Sequence, residues 1–87
     1  MGEYNFTEKG FDEFMYWQTT DKKIAKRIYS LLKSIDREGP MQGIGKPEPL
    51  KGRPGYSRRI DDKNRLVYDV EDGRITIESC KGHYDDN

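Results

Sequence analysis

The apolar residues of this chain recur at regular spacings instead of being scattered among its many charged residues. Between positions 24 and 35 they repeat at the spacing of one helix face, while lysines occupy the opposite face. The stripe consists of Ile24, Ile28, Leu31, Leu32 and Ile35. It predicts a helix over about residues 22–37, which Thr20 or Asp21 could cap and which Gly39 and Pro40 would end.

A short strand and another helix are predicted before that stripe. Glu3 to Phe6 alternates polar and aromatic residues, and Thr7 is suited to cap a helix over about Glu8 to Gln18. The apolar face of this helix is expected to contain Phe11, Phe14 and Met15, with Trp17 beside them.

The C-terminal half contains three strand-like runs, which are Tyr56–Ile60, Arg65–Val70 and Arg74–Lys81. Asp72-Gly73 is a typical hairpin turn, because glycine accepts the positive φ that such turns require. Alternation in the middle run directs Leu66, Tyr68 and Val70 toward the helices and Arg65 to the other side of the sheet.

The order of elements is strand, two helices, a loop rich in glycine and proline over residues 39–55, and three strands. This order predicts an α+β fold in which the N-terminal strand and two helices pack on one face of a C-terminal antiparallel sheet. With 87 residues, the chain is expected to be one domain over residues 1–87.

Charge and cysteine content narrow the class of protein. The net charge is zero, but residues 44–68 contain seven basic and three acidic side chains, a local charge of +4. The single cysteine excludes an internal disulfide and fits a reducing compartment. Neither a signal peptide nor a run of about 20 apolar residues is apparent, so we expect a soluble cytoplasmic protein without a membrane partner.

The sequence contains no recognisable metal or cofactor motif, and we expect neither group. Acid–base candidates remain. Glu48 lies between Pro47 and Pro49, which hold the backbone extended and would suit a general base. The alternative is an ordinary exposed glutamate in a stiff loop.

His83 is the only histidine, and its ordinary pKa near neutrality suits a general acid. The alternative is a histidine without a task near the C-terminus. Alternation would place it on the buried side with Ile75 and Ile77, although Gly82 could change that parity.

Cationic and aromatic side chains surround these candidates in the sequence. Lys51, Arg58, Arg59 and Arg65 could bind phosphate, since guanidinium groups match phosphate oxygens; each could equally be a surface charge. Tyr56 and Tyr84 could stack on bases, whereas Tyr68 is expected to be a core residue.

Several of these motifs together resemble the YoeB (Txe) family of RelE-like toxins. They are Trp17-Gln18, Gly45-Lys46-Pro47-Glu48-Pro49-Leu50-Lys51, Ser57-Arg58-Arg59-Ile60, Arg65-Leu66-Val67-Tyr68 and His83-Tyr84. The resemblance implies a metal-independent ribonuclease acting on messenger RNA in the ribosomal A site.

The resemblance also implies the role of each matched residue. Glu48 would be the base that takes the proton of a ribose 2′-hydroxyl, Arg65 would stabilise the attacked phosphate, and His83 would protonate the leaving oxygen. Tyr84 would orient the RNA. Lys51 and Arg59 would support the phosphate.

The partners implied are a cognate antitoxin of the YefM type, the bacterial ribosome with its mRNA, operator DNA through the antitoxin complex, and a possible homodimer. Two other interpretations stay open at this point. One is a toxin-fold subunit that binds antitoxin and operator DNA, or the ribosome, without cutting. The other is a general RNA-binding module, which usually has a larger basic excess.

Overall fold

The structure is a computed structural model that describes residues 3–82. It contains two helices and five strands. In chain order they are β1 (Glu3–Phe6), α1 (Glu8–Thr20), α2 (Lys22–Glu38), β2 (Glu48–Pro49), β3 (Tyr56–Arg59), β4 (Arg65–Glu71) and β5 (Arg74–Ser79). The predicted elements are all present, and β2 is an addition within the segment predicted to be a loop.

The five strands form one sheet in the order β1-β5-β4-β3-β2. The β2–β3, β3–β4 and β4–β5 pairs are antiparallel, which confirms the predicted C-terminal meander. Strand β1 pairs parallel with β5, so the complete sheet is mixed. A parallel pair needs a long crossover connection, and here α1 and α2 form part of it.

Side-chain oxygens cap both helices at their first turns. The Thr7 hydroxyl accepts a hydrogen bond from the Gly10 N–H at 3.0 Å, as predicted. The Asp21 carboxylate accepts from the Lys23 N–H at 3.1 Å and from the Ile24 N–H. Asp21, not Thr20, is therefore the cap of α2, and each cap satisfies amides that have no partner within the helix.

The core lies between α2 and one face of the sheet. The predicted α2 stripe is buried from Ile28 to Ile35, while Ile24 is only partly covered. Leu66 and Tyr68 are fully buried in the same cluster and Val70 packs against it, which confirms the predicted alternation in β4. Val67, on the opposite face, is also buried, so that face is not uniformly open to solvent.

The predicted apolar face of α1 is wrong in part. Phe11 and Met15 are 50% and 43% exposed, and the buried residues of α1 are Gly10 and Trp17. At Gly10 the helix lies so close to β5 that an added Cβ would be 2.3 Å from the Ile77 carbonyl oxygen. Because α1 contacts β5 through Gly10, which has no side chain, the pattern of apolar side chains does not indicate the buried face of α1.

The β4–β5 turn has the predicted geometry. Asp72 and Gly73 have φ values of 52° and 79°, as expected for a two-residue hairpin turn with positive φ at both positions. Within residues 3–82, neither helix is long and apolar enough to cross a membrane.

Candidate functional site

The strand register places Glu48 beside Ser57 and brings Ser57 into contact with Arg65. Glu48 is paired with Ser57 across the β2–β3 ladder, and Ser57 is paired with Val67 across the β3–β4 ladder. Side chains at paired positions lie on the same face of a sheet. Arg65 is two residues before Val67, so it shares this face, which is the one opposite the helices.

The guanidinium of Arg65 is oriented by Ser57. Its Nε and Nη2 donate to the Ser57 hydroxyl oxygen at 3.2 and 3.0 Å. Ser57 is only 3% exposed, whereas Arg65 is half-buried. The charged group of Arg65 is therefore fixed by Ser57, in the row that begins with Glu48, and the residue remains partly exposed.

Backbone hydrogen bonds hold the segment that contains Glu48 on both sides. The Gly45 carbonyl accepts from the Arg59 N–H at 2.7 Å, and the Leu50 N–H donates to the Gly55 carbonyl at 2.9 Å. Leu50 is buried, while Glu48 is exposed. Pro49 is tolerated because β2 is an edge strand, where a missing N–H costs little. The carboxylate thus projects from an anchored, extended segment.

The C-terminal segment returns to this row at Gly82. The Arg65 N–H donates to the Gly82 carbonyl at 2.9 Å, and the Gly82 N–H donates to Asn64 Oδ1 at 2.8 Å. Gly82 is the last residue that the structure describes, so His83 and Tyr84 lie outside the described residues.

Arg59 and Lys51 lie on the surface near this row. Arg59 is paired with Arg65 across the β3–β4 ladder and forms an ion pair with Asp62. It also lines a shallow hollow of about 380 Å³ together with Arg27 and Lys46. Lys51 is exposed in the segment that follows β2.

The predicted substrate-binding residue Arg58 lies in the core and not on the face of the Glu48–Arg65 row. It is fully buried, and its guanidinium donates to Tyr68 Oη at 2.8 Å and to Ser34 Oγ at 3.1 Å. Its other acceptors are the backbone carbonyls of Gly39, Pro40, Gln42 and Ile44. Arg58 therefore fastens the loop after α2 to the sheet, and a phosphate has no access to it.

Tyr56 is also placed differently from the prediction. It is paired with Tyr68, and the two rings stack with their centroids 5.6 Å apart and their planes at 29°. Tyr56 packs against the core cluster on the face that carries Arg58, away from the Glu48–Arg65 row. The sequence did contain a signal for both corrections, because positions 56, 58 and 60 alternate onto one face and the outer two are apolar or aromatic.

Two polar residues of the site were missed by sequence reasoning. Ser57 orients Arg65, and Asn64, which is 8% exposed, binds Gly82. Alternation indicates that Ser57 shares a face with Arg59, but no local pattern indicates the pairing of Asn64 with a residue 18 positions away.

The other cavities of the described structure lie away from this site. Among residues 3–82, no group of three or more His, Cys, Asp or Glu side chains is arranged to hold a metal ion. Two larger hollows, of about 500 and 580 Å³, lie around Glu3 and Arg74. None of the residues of the Glu48–Arg65 row lines either of them.

Solved structures similar to this one include several toxins. A YoeB dimer from Staphylococcus aureus has a TM-score of 0.91 and 52% identity, covering 95% of this chain and 98% of that one. A YoeB–YefM complex from the same species has a TM-score of 0.90 and 49% identity, covering 97% and 99%. A mutant of YafQ from E. coli, at 16% identity and a TM-score of 0.72, shares the fold.

Sequence comparisons agree with the structural ones. Toxin YoeB of Escherichia coli K12 is 46% identical over 81 residues, covering 91% of this chain and 95% of that protein. Toxin RelK of Mycobacterium tuberculosis is 45% identical over 86 residues, covering 97% and 100%. The family model described as YoeB-like toxin of bacterial type II toxin-antitoxin system matches residues 6–84. The resemblance seen in the motifs is thereby confirmed, and the chain belongs to the YoeB-like toxins of bacterial type II toxin–antitoxin systems.

Proposed function

We propose that this toxin is an endoribonuclease that cleaves mRNA in the ribosomal A site by metal-independent acid–base catalysis. The observation that supports it most is the arrangement around Arg65. Its side chain lies in the same row as Glu48 through Ser57, and its backbone N–H binds Gly82, the residue that precedes His83. A carboxylate, a guanidinium and the chain that leads to the only histidine are thus brought together around Ser57 and Arg65.

The reaction begins at a ribose 2′-hydroxyl. Glu48 takes the proton, and the 2′-oxygen forms a bond to the adjacent phosphorus while the bond from phosphorus to the 5′-oxygen breaks. His83 gives its proton to that leaving oxygen. The products are a 2′,3′-cyclic phosphate and a 5′-hydroxyl, so DNA, which has no 2′-hydroxyl, is not a substrate.

The cations stabilise the charge that accumulates on the phosphate. Arg65 is preorganised by Ser57 and needs no reorganisation when the phosphorane forms, which is the condition under which such groups contribute most. Arg59 and Lys51 contact neighbouring phosphates, and Tyr84 orients the RNA. Arg58 and Tyr56 have no part in this mechanism, because their side chains belong to the core face.

The proposed partners follow from the relatives. Solved neighbours include YoeB–YefM complexes and a YoeB dimer from S. aureus. We propose that this chain likewise binds a YefM-like antitoxin, reaches operator DNA through that complex, can form a homodimer and acts on cytoplasmic ribosomes.

A translation-dependent cleavage assay tests the proposal. Purified toxin is added to translating bacterial ribosomes, and the 5′ ends of the mRNA are mapped. The wild type should cut at positions locked to codons, and Glu48→Gln should reduce the rate at least ~100-fold, the usual contribution of acid–base catalysis. Glu71→Gln is the matched control, because Glu71 is an exposed glutamate at the far end of β4.

Because the neighbouring complexes concern antitoxin binding and not cleavage, a second candidate is a subunit that binds antitoxin without cutting RNA. The same assay separates the two functions. Wild-type toxin that binds antitoxin but leaves the mRNA intact on translating ribosomes would establish the non-cutting subunit. Cuts that are equally fast in the wild type and in Glu48→Gln would contradict the role assigned to Glu48.

A further inference from the structure

Asn64 is a buried polar residue to which the proposed mechanism gives no role. It ends the turn between β3 and β4 and is 8% exposed. Its Oδ1 accepts the hydrogen bond from the Gly82 N–H at 2.8 Å, across 18 positions of sequence. A buried side chain that binds the backbone of a distant segment fixes that segment to the turn.

Asp61 fixes the orientation of the Asn64 amide. Asn64 Nδ2 donates to Asp61 Oδ1 at 3.0 Å and to Oδ2 at 3.3 Å. The amide nitrogen is therefore directed at the carboxylate, and the amide oxygen is left for Gly82. The same Asp61 Oδ1 accepts from the backbone N–H groups of Lys63 and Asn64, each at 2.8 Å, so the whole turn is tied to one carboxylate.

The charge of Asp61 supports this arrangement near neutral pH. Partial burial acts to raise the pKa of Asp61, but hydrogen bonds from the Lys63 backbone and from the side chain and backbone of Asn64 outweigh it and hold the pKa below its usual value. The carboxylate consequently remains an acceptor for the Asn64 amide.

Gly82 is held on both sides by adjacent residues of the chain. Asn64 binds its N–H, and the backbone N–H of Arg65 binds its carbonyl at 2.9 Å. Its φ of 84° is in the left-handed region, which glycine adopts readily. Because the peptide bond is planar, holding the Gly82 carbonyl restricts the direction in which the chain continues to His83.

We propose that Asn64, oriented by Asp61, is a positioning residue that acts through Gly82 to set the site of His83 relative to Arg65. The inference rests on the proposed nuclease function. Asn64 precedes Arg65 directly, so one turn controls both the guanidinium that faces the phosphate and the segment that leads to the acid. Displacement of a catalytic group by about 1 Å can cost about 100-fold in rate.

The test measures cleavage and the local structure together in two variants. Asn64→Ala removes the bond to Gly82. Asn64→Asp keeps an acceptor of the same length for the Gly82 N–H but cannot donate to Asp61. Asn5→Ala is the matched control, since Asn5 is an exposed asparagine on β1, at the other edge of the sheet.

Four quantities are measured for each protein. They are the cleavage rate with ribosomes at saturation, the affinity for programmed ribosomes, the hydrogen exchange of the Gly82 amide by NMR, and the NMR signals of the His83 ring. In Asn64→Ala we expect fast Gly82 exchange and a ~10- to 100-fold lower rate, with affinity changed less than about threefold. In Asn64→Asp the new carboxylate replaces the donor to Asp61 and is repelled by the Asp61 carboxylate, so the Gly82 amide should also exchange fast and the rate should fall about as far as in Asn64→Ala.

The outcomes distinguish the inference from the function on which it rests. If wild type cuts and Asn64→Ala exposes the Gly82 amide without slowing cleavage, the positioning role is wrong. It is also wrong if Asn64→Asp keeps the amide protected and yet cuts as slowly as Asn64→Ala. If wild type does not cut at all, the proposed nuclease function fails instead. The positioning role is then judged from the NMR signals of the His83 ring in Asn64→Ala. Unchanged signals would overturn it, and altered signals would support it.

Discussion

Replacing Arg58 by methionine tests whether this arginine stabilises the fold, in contrast to the adjacent Arg59 at the surface. Methionine fills the space of the aliphatic stem but donates no hydrogen bond. The change removes the bonds to Tyr68 Oη and Ser34 Oγ and those to the carbonyls of the loop after α2. Arg59→Met is the matched control, because Arg59 is exposed and its ion pair with Asp62 is at the surface.

The loss of stability caused by Arg58→Met depends on which hydrogen-bonding groups are left without a partner. Ser34 Oγ still donates to Glu38 and accepts from the Ile44 N–H, and Tyr68 Oη still donates to the Pro40 carbonyl at 2.6 Å. The loop carbonyls lie near the surface and can bind water. The loss is then about two hydrogen bonds to a charged donor, at about 1.5–3 kcal/mol each, or about 3–6 kcal/mol.

That loss is large for a domain of 87 residues, whose free energy of unfolding is expected to be about 4–13 kcal/mol. Urea unfolding followed by the fluorescence of Trp17, the only tryptophan and a core residue, measures it directly. Arg58→Met should have a much lower midpoint, and Arg59→Met should differ by at most about 0.5 kcal/mol. Equal midpoints for the two variants would refute the assignment of Arg58 to the core.

Three further predictions concern other residues of the described structure. Ser57→Ala leaves Arg65 without its anchor and should lower the cleavage rate about 3- to 10-fold with a stability loss of about 1 kcal/mol; an unchanged rate would contradict the orienting role. Gly10→Ala places a Cβ 2.3 Å from the Ile77 carbonyl oxygen and should destabilise the protein by about 1–3 kcal/mol in urea, whereas a neutral result would mean that the helix can move away. Burial, with a smaller contribution from Glu13, raises the pKa of Cys80 to about 12, so a thiol reagent at pH 8 should label the unfolded chain and spare the folded one.

The fold was largely predictable because its determinants are local. The α2 stripe, the Thr7 cap and the Asp72-Gly73 turn each appear within a few residues of sequence, and each is confirmed. The parallel pairing of β1 with β5 and the two-residue strand at Glu48 were not predicted. Both strands pair with an edge that exists only once the rest of the sheet has formed, so no local sequence pattern specifies these pairings.

The site was predictable only where the alternation of side chains along a strand was used to assign each residue to a face. Arg65 was placed correctly on the face opposite the helices, because its neighbours Leu66 and Tyr68 are plainly core residues. Arg58 was interpreted by its charge instead of by its position in the strand. Burial of a guanidinium is costly unless every donor is satisfied, and only the folded structure reveals the carbonyls that satisfy it.

The two adjacent arginines of β3 both help to hold the segment that contains Glu48. Arg58 holds the loop after α2 against the core face, and that loop leads directly into the segment of Glu48. The backbone of Arg59 then fixes the same segment through the Gly45 carbonyl, and its side chain lies on the opposite face beside Arg65. The segment that carries the Glu48 carboxylate is therefore held by two adjacent residues of one strand, through the side chain of Arg58 and the backbone of Arg59.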